Sequence, residues 1–127
     1  MGAMPVARLE VSVDHLRSAE GFVRVCLTAD PANFPACVDD AQALTRSVPA
    51  DVHTIRFDAL PQGAYALAVI HDANGNAKLD TFAGIPREGF GFSRNPPIGF
   101  GAPRFAAAQF TLAGDAEKQQ VRMRYIF

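Results

Sequence analysis

Apolar residues alternate with polar residues along several short stretches of the chain, the pattern typical of half-buried β-strands. Residues 8–14 read RLEVSVD, and residues 22–28 read FVRVCLT. Successive side chains of a strand point to opposite faces, so this period of two indicates one buried and one exposed face. Because only a short turn region separates the two stretches, we predict that they pair as a hairpin.

Residues 64–70, AYALAVI, are apolar on both faces. One side carries Tyr65, Leu67 and Val69, whereas the other carries the small residues Ala64, Ala66 and Ala68. A strand that is apolar on both faces is typical of the middle of a sheet. We predict that another part of the chain packs closely over the alanine side.

Three more stretches predict strands: VHTIRFDAL, AAAQFTLA and QQVRMRYIF. No amphipathic helix of three turns is apparent, and residues 29–50 are interpreted as a crossover loop. We predict an all-β fold, an antiparallel β-sandwich of the transthyretin-like or Ig-like kind with about six to eight strands. Residues 1–5 are interpreted as left by cloning or leader removal, and residues 6–127 as a single domain.

The segment TFAGIPREGFGFSRNPPIGFGAPRF, residues 81–105, fits neither strand nor helix. It is rich in glycine, proline and phenylalanine. A loop of this length in a compact domain is usually functional or disordered, and its phenylalanines can bury too much apolar area to remain solvated. We predict an ordered loop that packs on the sandwich, over the alanine side of residues 64–70.

Composition narrows the classes of partner. The formal charge of -1 provides no basic field for nucleic acid or an anionic membrane. No apolar run approaches the roughly 20 residues that span a bilayer. We therefore expect a soluble monomer whose partner is a small molecule, a glycan or a protein.

The stretch HDANGNAKLD, residues 71–80, predicts a calcium loop. Calcium loops place Asp or Asn at every second residue so that the oxygens converge on one point. The predicted ligands are the side chains of Asp72, Asn74, Asn76 and Asp80, the carbonyl of Lys78, and Glu88. The alternative is a tight turn at Asn74-Gly75 that would pair Ile70 with Leu79, because Asn-Gly is a strong hairpin signal.

Other candidate chemistry is less specific. His71, Asp72 and Glu88 suggest a small hydrolase as an alternative, but adjacent strand residues point to opposite faces. Ser93 is a weak candidate nucleophile. The predicted ligand-binding residues lie in the long segment, where arginine alternates with phenylalanine: Arg87, Phe90, Phe92 and Arg94. The alternative for that segment is an internally packed loop with a solvated arginine edge.

The two cysteines, Cys26 and Cys37, are compatible with two interpretations. A bridge between them would close a short proline-containing loop and stabilise the fold by about 3 kcal/mol. The alternative is a buried free thiol at Cys26, since unpaired cysteine is among the most buried residue types.

The whole chain resembles a bacterial family of unknown function, DUF2141. The resemblance rests on GAYALAVIHDANGNAKLDT and GIPREGFGFSRN, with the family's spacing between the blocks. One departure is Ala77, where members often have glycine. Because members usually carry a leader for export, the resemblance implies a periplasmic or secreted protein and favours the Cys26–Cys37 bridge. A weaker likeness to transthyretin-like and carboxypeptidase-regulatory-like sandwiches concerns the fold alone.

From these observations we expect an exported, non-catalytic β-sandwich that binds a ligand or partner and contains a structural Ca²⁺ loop. A purely structural module of the cell envelope is a further alternative to the hydrolase.

Overall fold

In the computed structural model of the protein, residues 5–34, 44–73, 81–82, 85–86, 89–97 and 103–125 are described. The strands in these ranges are β1 (Val6–Asp14), β2 (Phe22–Thr28), β3 (Leu44–Pro49), β4 (Thr54–Pro61), β5 (Gly63–Asp72), β6 (Thr81–Phe82), β7 (Ile85–Pro86), β8 (Gly89–Phe92), β9 (Phe110–Leu112) and β10 (Ala116–Arg122). One 3-10 turn (Pro31–Asn33) and one turn of helix, α1 (Phe105–Ala108), complete them.

The strands form two main sheets, which confirms the predicted all-β, sandwich-like fold. One sheet has the order β10-β1-β4, and the other has the order β3-β2-β5-β8, with β9 also paired to β5. β6 and β7 pair only with each other. All these pairs are antiparallel except β1 with β10, which is parallel. In the part of the chain that is described, no helix is long and apolar enough to cross a bilayer.

The predicted hairpin of β1 with β2 is wrong, because the two strands belong to different sheets. β1 pairs with β4 and β10, whereas β2 pairs with β3 and β5. The connection between them begins at His15 and ends at Gly21, both with positive φ. The alternating pattern indicates which face of a strand is buried, but it does not specify the neighbouring strand.

β5 lies in the middle of its sheet, as predicted. Over residues 66–72 it pairs with β2 on one edge, and over residues 68–71 with β8 on the other. Its bulky side faces the core between the two sheets, where Leu67 and Val69 are buried beside Phe57 of β4. Central placement therefore follows from a sequence that is apolar on both faces.

The alanine side of β5 forms a second, smaller core on the outer face of the same sheet. Ala66 and Ala68 lie there, covered by Phe92, Phe105 and further residues. This confirms that the long segment packs over the alanine side. Alanine is needed because three phenylalanine rings occupy the space that larger β5 side chains would fill: Phe90, Phe92 and Phe105.

The crossover loop predicted for residues 29–50 is wrong at its end, where Leu44–Pro49 forms the edge strand β3 along β2. The sequence pattern did not indicate this strand, because Arg46 stands between Leu44 and Val48 at a position where the alternation requires an apolar residue. Its guanidinium lies 4.8 Å from the centroid of the Phe57 ring, so an arginine covers apolar surface at this position.

The long segment also contains a strand that was not predicted, β8. Glycine alternates with phenylalanine in GFGF because the two faces of β8 have opposite surroundings. A Cβ at Gly91 would lie 2.6 Å from Cγ1 of Val121, whereas Phe90 and Phe92 face the second core. Glycine here permits close approach of another strand rather than a turn.

The predicted AAAQFTLA strand is shorter than expected, since its alanines belong to α1 and only Phe110–Leu112 is extended. The last strand joins the two sheets at one seam. β10 ends at Arg122 in the three-stranded sheet, and Arg124 then exchanges backbone hydrogen bonds with Phe90 of the other sheet. The sandwich is therefore closed along this side by a continuous piece of backbone.

Candidate functional site

The residues that connect β5 to the predicted calcium loop are held by side-chain hydrogen bonds. His71 is 1% exposed and faces the space between the sheets. Its Nε2 lies 2.8 Å from the Glu20 carbonyl, and its Nδ1 lies 2.8 Å from the Tyr125 hydroxyl. A carbonyl can only accept, so Nε2 donates the hydrogen bond to Glu20, and Nδ1 shares the second hydrogen bond with the tyrosine hydroxyl. His71 thus fastens β5 to two other parts of the chain.

Tyr125 continues this chain of hydrogen bonds. Its oxygen accepts from the backbone N–H of Arg17 at 3.1 Å, and the Arg17 guanidinium lies 4.3 Å from the ring centroid. A Cβ at Gly89 would lie 2.4 Å from the Tyr125 ring, so glycine is required for the ring to reach His71. Burial raises the pKa of Tyr125 above 10.0, and the Arg17 hydrogen bond and charge partly offset the rise.

Asp72 lies on the opposite, outer face of the sheet and is 0% exposed. Its Oδ2 accepts a hydrogen bond from Nε of Arg24 at 2.8 Å, and Arg24 also donates from NH1 to the Ser47 hydroxyl at 2.8 Å. The Arg24 guanidinium lies 5.2 Å from the centroid of the Phe22 ring. Asp72 is therefore tied to β2 and, through Arg24, to β3.

The two strand-end residues are thus used in separate networks. His71 bonds inward and Asp72 bonds outward, because adjacent residues of a strand face opposite sides. They do not form the acid–base pair that the hydrolase alternative requires. Glu88, its third member, lies outside the described residues.

The tight hairpin at Asn74-Gly75 is wrong in the form that pairs Ile70 with Leu79. Ile70 pairs with Arg24 of β2 on one edge and with Phe90 of β8 on the other. A strand residue has only two hydrogen-bonding edges, so none remains for a rung with Leu79. β5 instead finds its antiparallel partner in β8, beyond residue 88.

Of the predicted calcium ligands, the structure describes only Asp72. Asn74, Asn76, Lys78 and Asp80 lie outside the described residues, as does Glu88. Among the residues that are described, no group of three or more His, Cys, Asp or Glu side chains is arranged to hold a metal ion.

Ser93 and Asn95 fasten the part of the long segment that directly follows β8. The Ser93 hydroxyl accepts from the Leu67 N–H at 3.0 Å and donates to the Ala108 carbonyl at 2.5 Å. Asn95 donates to the Gln120 carbonyl at 3.0 Å and accepts from the Arg122 N–H at 2.8 Å. Ser93 is 0% exposed, so its hydroxyl joins β5 to α1 rather than serving as a nucleophile.

The predicted ligand-binding residues are placed differently from one another. Phe90 and Phe92 are each 8% exposed, and their rings lie 6.1 Å apart. Arg94 is exposed, and its NH1 donates to the Gln109 carbonyl at 3.2 Å. Arg87 lies outside the described residues. The inward packing of the two phenylalanines is confirmed, and the ligand-binding role of all four residues stays a prediction.

Cys26 is 8% exposed and belongs to the second core, near Phe34 and Phe92. Cys37 lies outside the described residues, so the predicted bridge stays a prediction.

Three functionally placed residues were not anticipated from the sequence: Arg24, Asn95 and Tyr125. Arg24 and Tyr125 stand at ordinary alternating positions of strands, and nothing in that pattern indicates their partners. Asn95 precedes two prolines, and this sequence is typical of a turn without indicating a partner. In the structure Asn95 has positive φ. Their roles depend on residues more than 20 positions away in the chain.

The model of a family described as "Uncharacterized protein conserved in bacteria (DUF2141)" matches residues 11–120. No curated protein and no solved structure matches the chain. The likeness to transthyretin-like and carboxypeptidase-regulatory-like sandwiches accordingly stays a prediction.

Proposed function

We propose, for a chain that belongs to the DUF2141 family, a non-catalytic β-sandwich module that binds a ligand or partner through the segment between β5 and β8. The observation that supports this proposal is the fixing of both ends of the segment. His71 and Asp72 hold its beginning, and β8 with Ser93 holds its end. A segment anchored on rigid strands loses less conformational entropy on binding than a free loop does.

The second part of the proposal is that calcium stabilises this segment. Asp72, Asn74, Asn76, Asp80, the Lys78 carbonyl and Glu88 would hold the ion. Asp72 supports the fit because its carboxylate is placed at the end of a rigid strand and is oriented by Arg24 at 2.8 Å. An ionised carboxylate has about four acceptor positions, so the Arg24 bond alone does not prevent it from binding an ion. The Arg24 charge, however, weakens attraction of a cation.

We predict weak calcium binding, with a Kd of about 10⁻⁴–10⁻³ M, the range of extracellular modules. Because the ion would bind only the folded state, a hundredfold excess over Kd should stabilise by about 2.7 kcal/mol. Magnesium should stabilise much less, since it retains its water and requires stricter octahedral geometry. The measurement is thermal unfolding in calcium, in magnesium and in chelator.

The test variant is Asp80→Ala, and the matched control is Asp51→Ala, which removes an exposed carboxylate elsewhere. The calcium shift should disappear in the first variant and persist in the second. Identical melting temperatures in all three solutions for the unmutated protein would falsify the calcium part of the proposal.

We also propose that the protein is exported to the periplasm or secreted, with Cys26 and Cys37 bridged. The absence of a free cysteine among the described residues and the presence of only two cysteines in the chain support the bridge. Disulfides persist in oxidising compartments, so the two proposals agree. Titration of the unfolded, non-reduced protein should give no free thiol, and two thiols per chain would contradict the bridge.

A further inference from the structure

A cavity of about 640 Å³ lies between the edge strands β3 and β4, which belong to different sheets and do not pair with each other. Its walls come from β2, β3, β4 and the start of β5, on the side of the sandwich opposite the β10–β8 seam. The volume falls within the range of small-molecule sites. Asp72, the one described residue of the proposed calcium site, does not line this cavity.

A β-bulge shapes one wall of the cavity. Ala7 pairs with Leu60 and Leu9 pairs with Phe57, so Asp58 and Ala59 together oppose the single residue Arg8. Ala59 has φ +56, a left-handed conformation that alanine rarely adopts. Bulges re-aim side chains, and strained residues of this kind cluster at ligand sites. Here the bulge keeps Phe57 and Leu60 buried while Asp58 and Ala59 line the cavity.

The cavity has an apolar floor and charged groups of both signs. Leu27, Leu44 and Leu60 supply the floor. Arg46 supplies the cation, and its guanidinium is held over the Phe57 ring at 4.8 Å with NH1 3.3 Å from the Thr45 carbonyl. The stacking on Phe57 orients the guanidinium beside the cavity, where its remaining N–H groups can bind a carboxylate.

Two acidic residues line the same cavity, and they differ in availability. Asp30 uses Oδ1 to accept from the Ala32 N–H at 3.0 Å, where it caps the 3-10 turn. The Asp58 side chain is 72% exposed and lies 4.0 Å from Arg56, itself 56% exposed. Exposed pairs at this distance are weak. Asp58 is thus the carboxylate that can exchange its partner for a ligand ammonium group.

We propose that this cavity binds a small zwitterion with an apolar body, of the apolar amino-acid type. Its carboxylate would bind Arg46, its ammonium group would bind Asp58, and its apolar side chain would contact the leucine floor. A purely anionic ligand would meet two uncompensated carboxylates, and a purely cationic ligand would leave Arg46 unused. The proposal is independent of the proposed calcium loop, because the two sites share no residue.

The test uses three compounds that share one apolar group: leucine, 4-methylpentanoate without the ammonium group, and 3-methylbutylamine without the carboxylate. Binding to the full chain is measured by isothermal titration calorimetry at neutral pH, in the presence of chelator so that calcium plays no part. We expect saturable binding of leucine and at least about tenfold weaker binding of the other two, the usual scale for losing one charged hydrogen bond.

Asp58→Asn and Arg46→Gln should each weaken leucine binding about tenfold, whereas Asp51→Asn, which changes an exposed carboxylate outside the cavity, should leave it within about twofold. If Arg46→Gln does not fold, Asp58→Asn alone decides, because its exposed side chain can be changed without disturbing the core. The absence of saturable leucine binding up to about 10 mM, equal binding of either single-charge compound, or an unchanged affinity in Asp58→Asn would overturn the proposal.

Discussion

Ser93 satisfies two backbone groups that lie in a buried region, the Leu67 N–H and the Ala108 carbonyl. An unsatisfied buried donor or acceptor costs more free energy than a typical hydrogen bond contributes. A residue that appears from the sequence to be a weak nucleophile therefore serves as a clamp between β5 and α1. His71, a candidate catalytic residue from the sequence, likewise has a structural role, because both of its ring nitrogens form hydrogen bonds to other parts of the chain.

We predict that Ser93→Ala lowers the free energy of unfolding by about 2–4 kcal/mol, because both backbone groups lose their partner. The measurement is chemical denaturation. Ser12→Ala, on the outer face of β1, is the control and should change stability by no more than about 0.5 kcal/mol. Equal effects of the two substitutions would show that the Ser93 hydroxyl contributes no special stability.

Tyr125 predicts a loss of stability at alkaline pH. Burial raises its pKa in the folded protein above the ordinary tyrosine value of 10.0. Below pH 10 the phenol is neutral in both states; above it the unfolded chain ionises first, so stability falls as pH rises through the folded pKa. Denaturant midpoints at about pH 9 and about pH 11 should bracket the fall.

The comparison protein is Tyr125→Phe, which has no phenol at this position. It should lose less stability between the two pH values, although its stability at neutral pH is lower without the bond to His71. Tyr65, whose pKa burial also raises, is present in both proteins and contributes equally. The same alkaline loss in both proteins would contradict a role for Tyr125.

At the scale of elements, β8 and the alanine side of β5 depend on each other. The Phe92 ring lies 5.8 Å from the Phe34 ring and packs over small β5 side chains. On the other face of β8, Gly91 leaves the space that Val121 occupies. β8 therefore depends on packing against the second core on one face and against β10 on the other.

We predict that Phe92→Ala lowers the free energy of unfolding by about 3 kcal/mol or more, because it opens a cavity in the second core. Phe22→Ala is the matched control, since Phe22 is 40% exposed on the same face of the sheet. Losing Phe22 and its contact with Arg24 should cost about 1 kcal/mol or less. Urea midpoints compare the two, and an unchanged midpoint for Phe92→Ala would exclude the second core as a source of stability.

At the scale of the whole molecule, the two sides of the sandwich differ. Backbone joins the sheets on one side, where Arg124 pairs with Phe90 after β10 ends. On the other side an arginine stacked on Phe57 and a bulge at Asp58–Ala59 border a cavity. The closed side contains β8, which follows the proposed calcium segment in the chain, and the open side carries the proposed zwitterion site.

The sequence by itself determined the faces of the strands. Ile55 and Phe57 of β4 point inward, β5 is central, and the phenylalanines of the long segment cover alanine, all as predicted. These features follow from side-chain polarity and size, because burial of apolar surface is the dominant favourable term in folding. The resemblance of the motifs also indicated the family that the match over residues 11–120 shows.

Tertiary structure alone decided which strands are neighbours and what the polar residues do. Strands pair through backbone N–H and C=O groups, and every residue except proline has both. The alternating side chains of β1 are therefore compatible with pairing to β2 as well as to β4, its actual neighbour. The fold alone brings His71 close to the Glu20 carbonyl and to Tyr125. It likewise brings Ser93 close to backbone groups of β5 and α1. The cavity at the open seam arises for the same reason, since its charged residues come from strands that meet only when the two sheets pack.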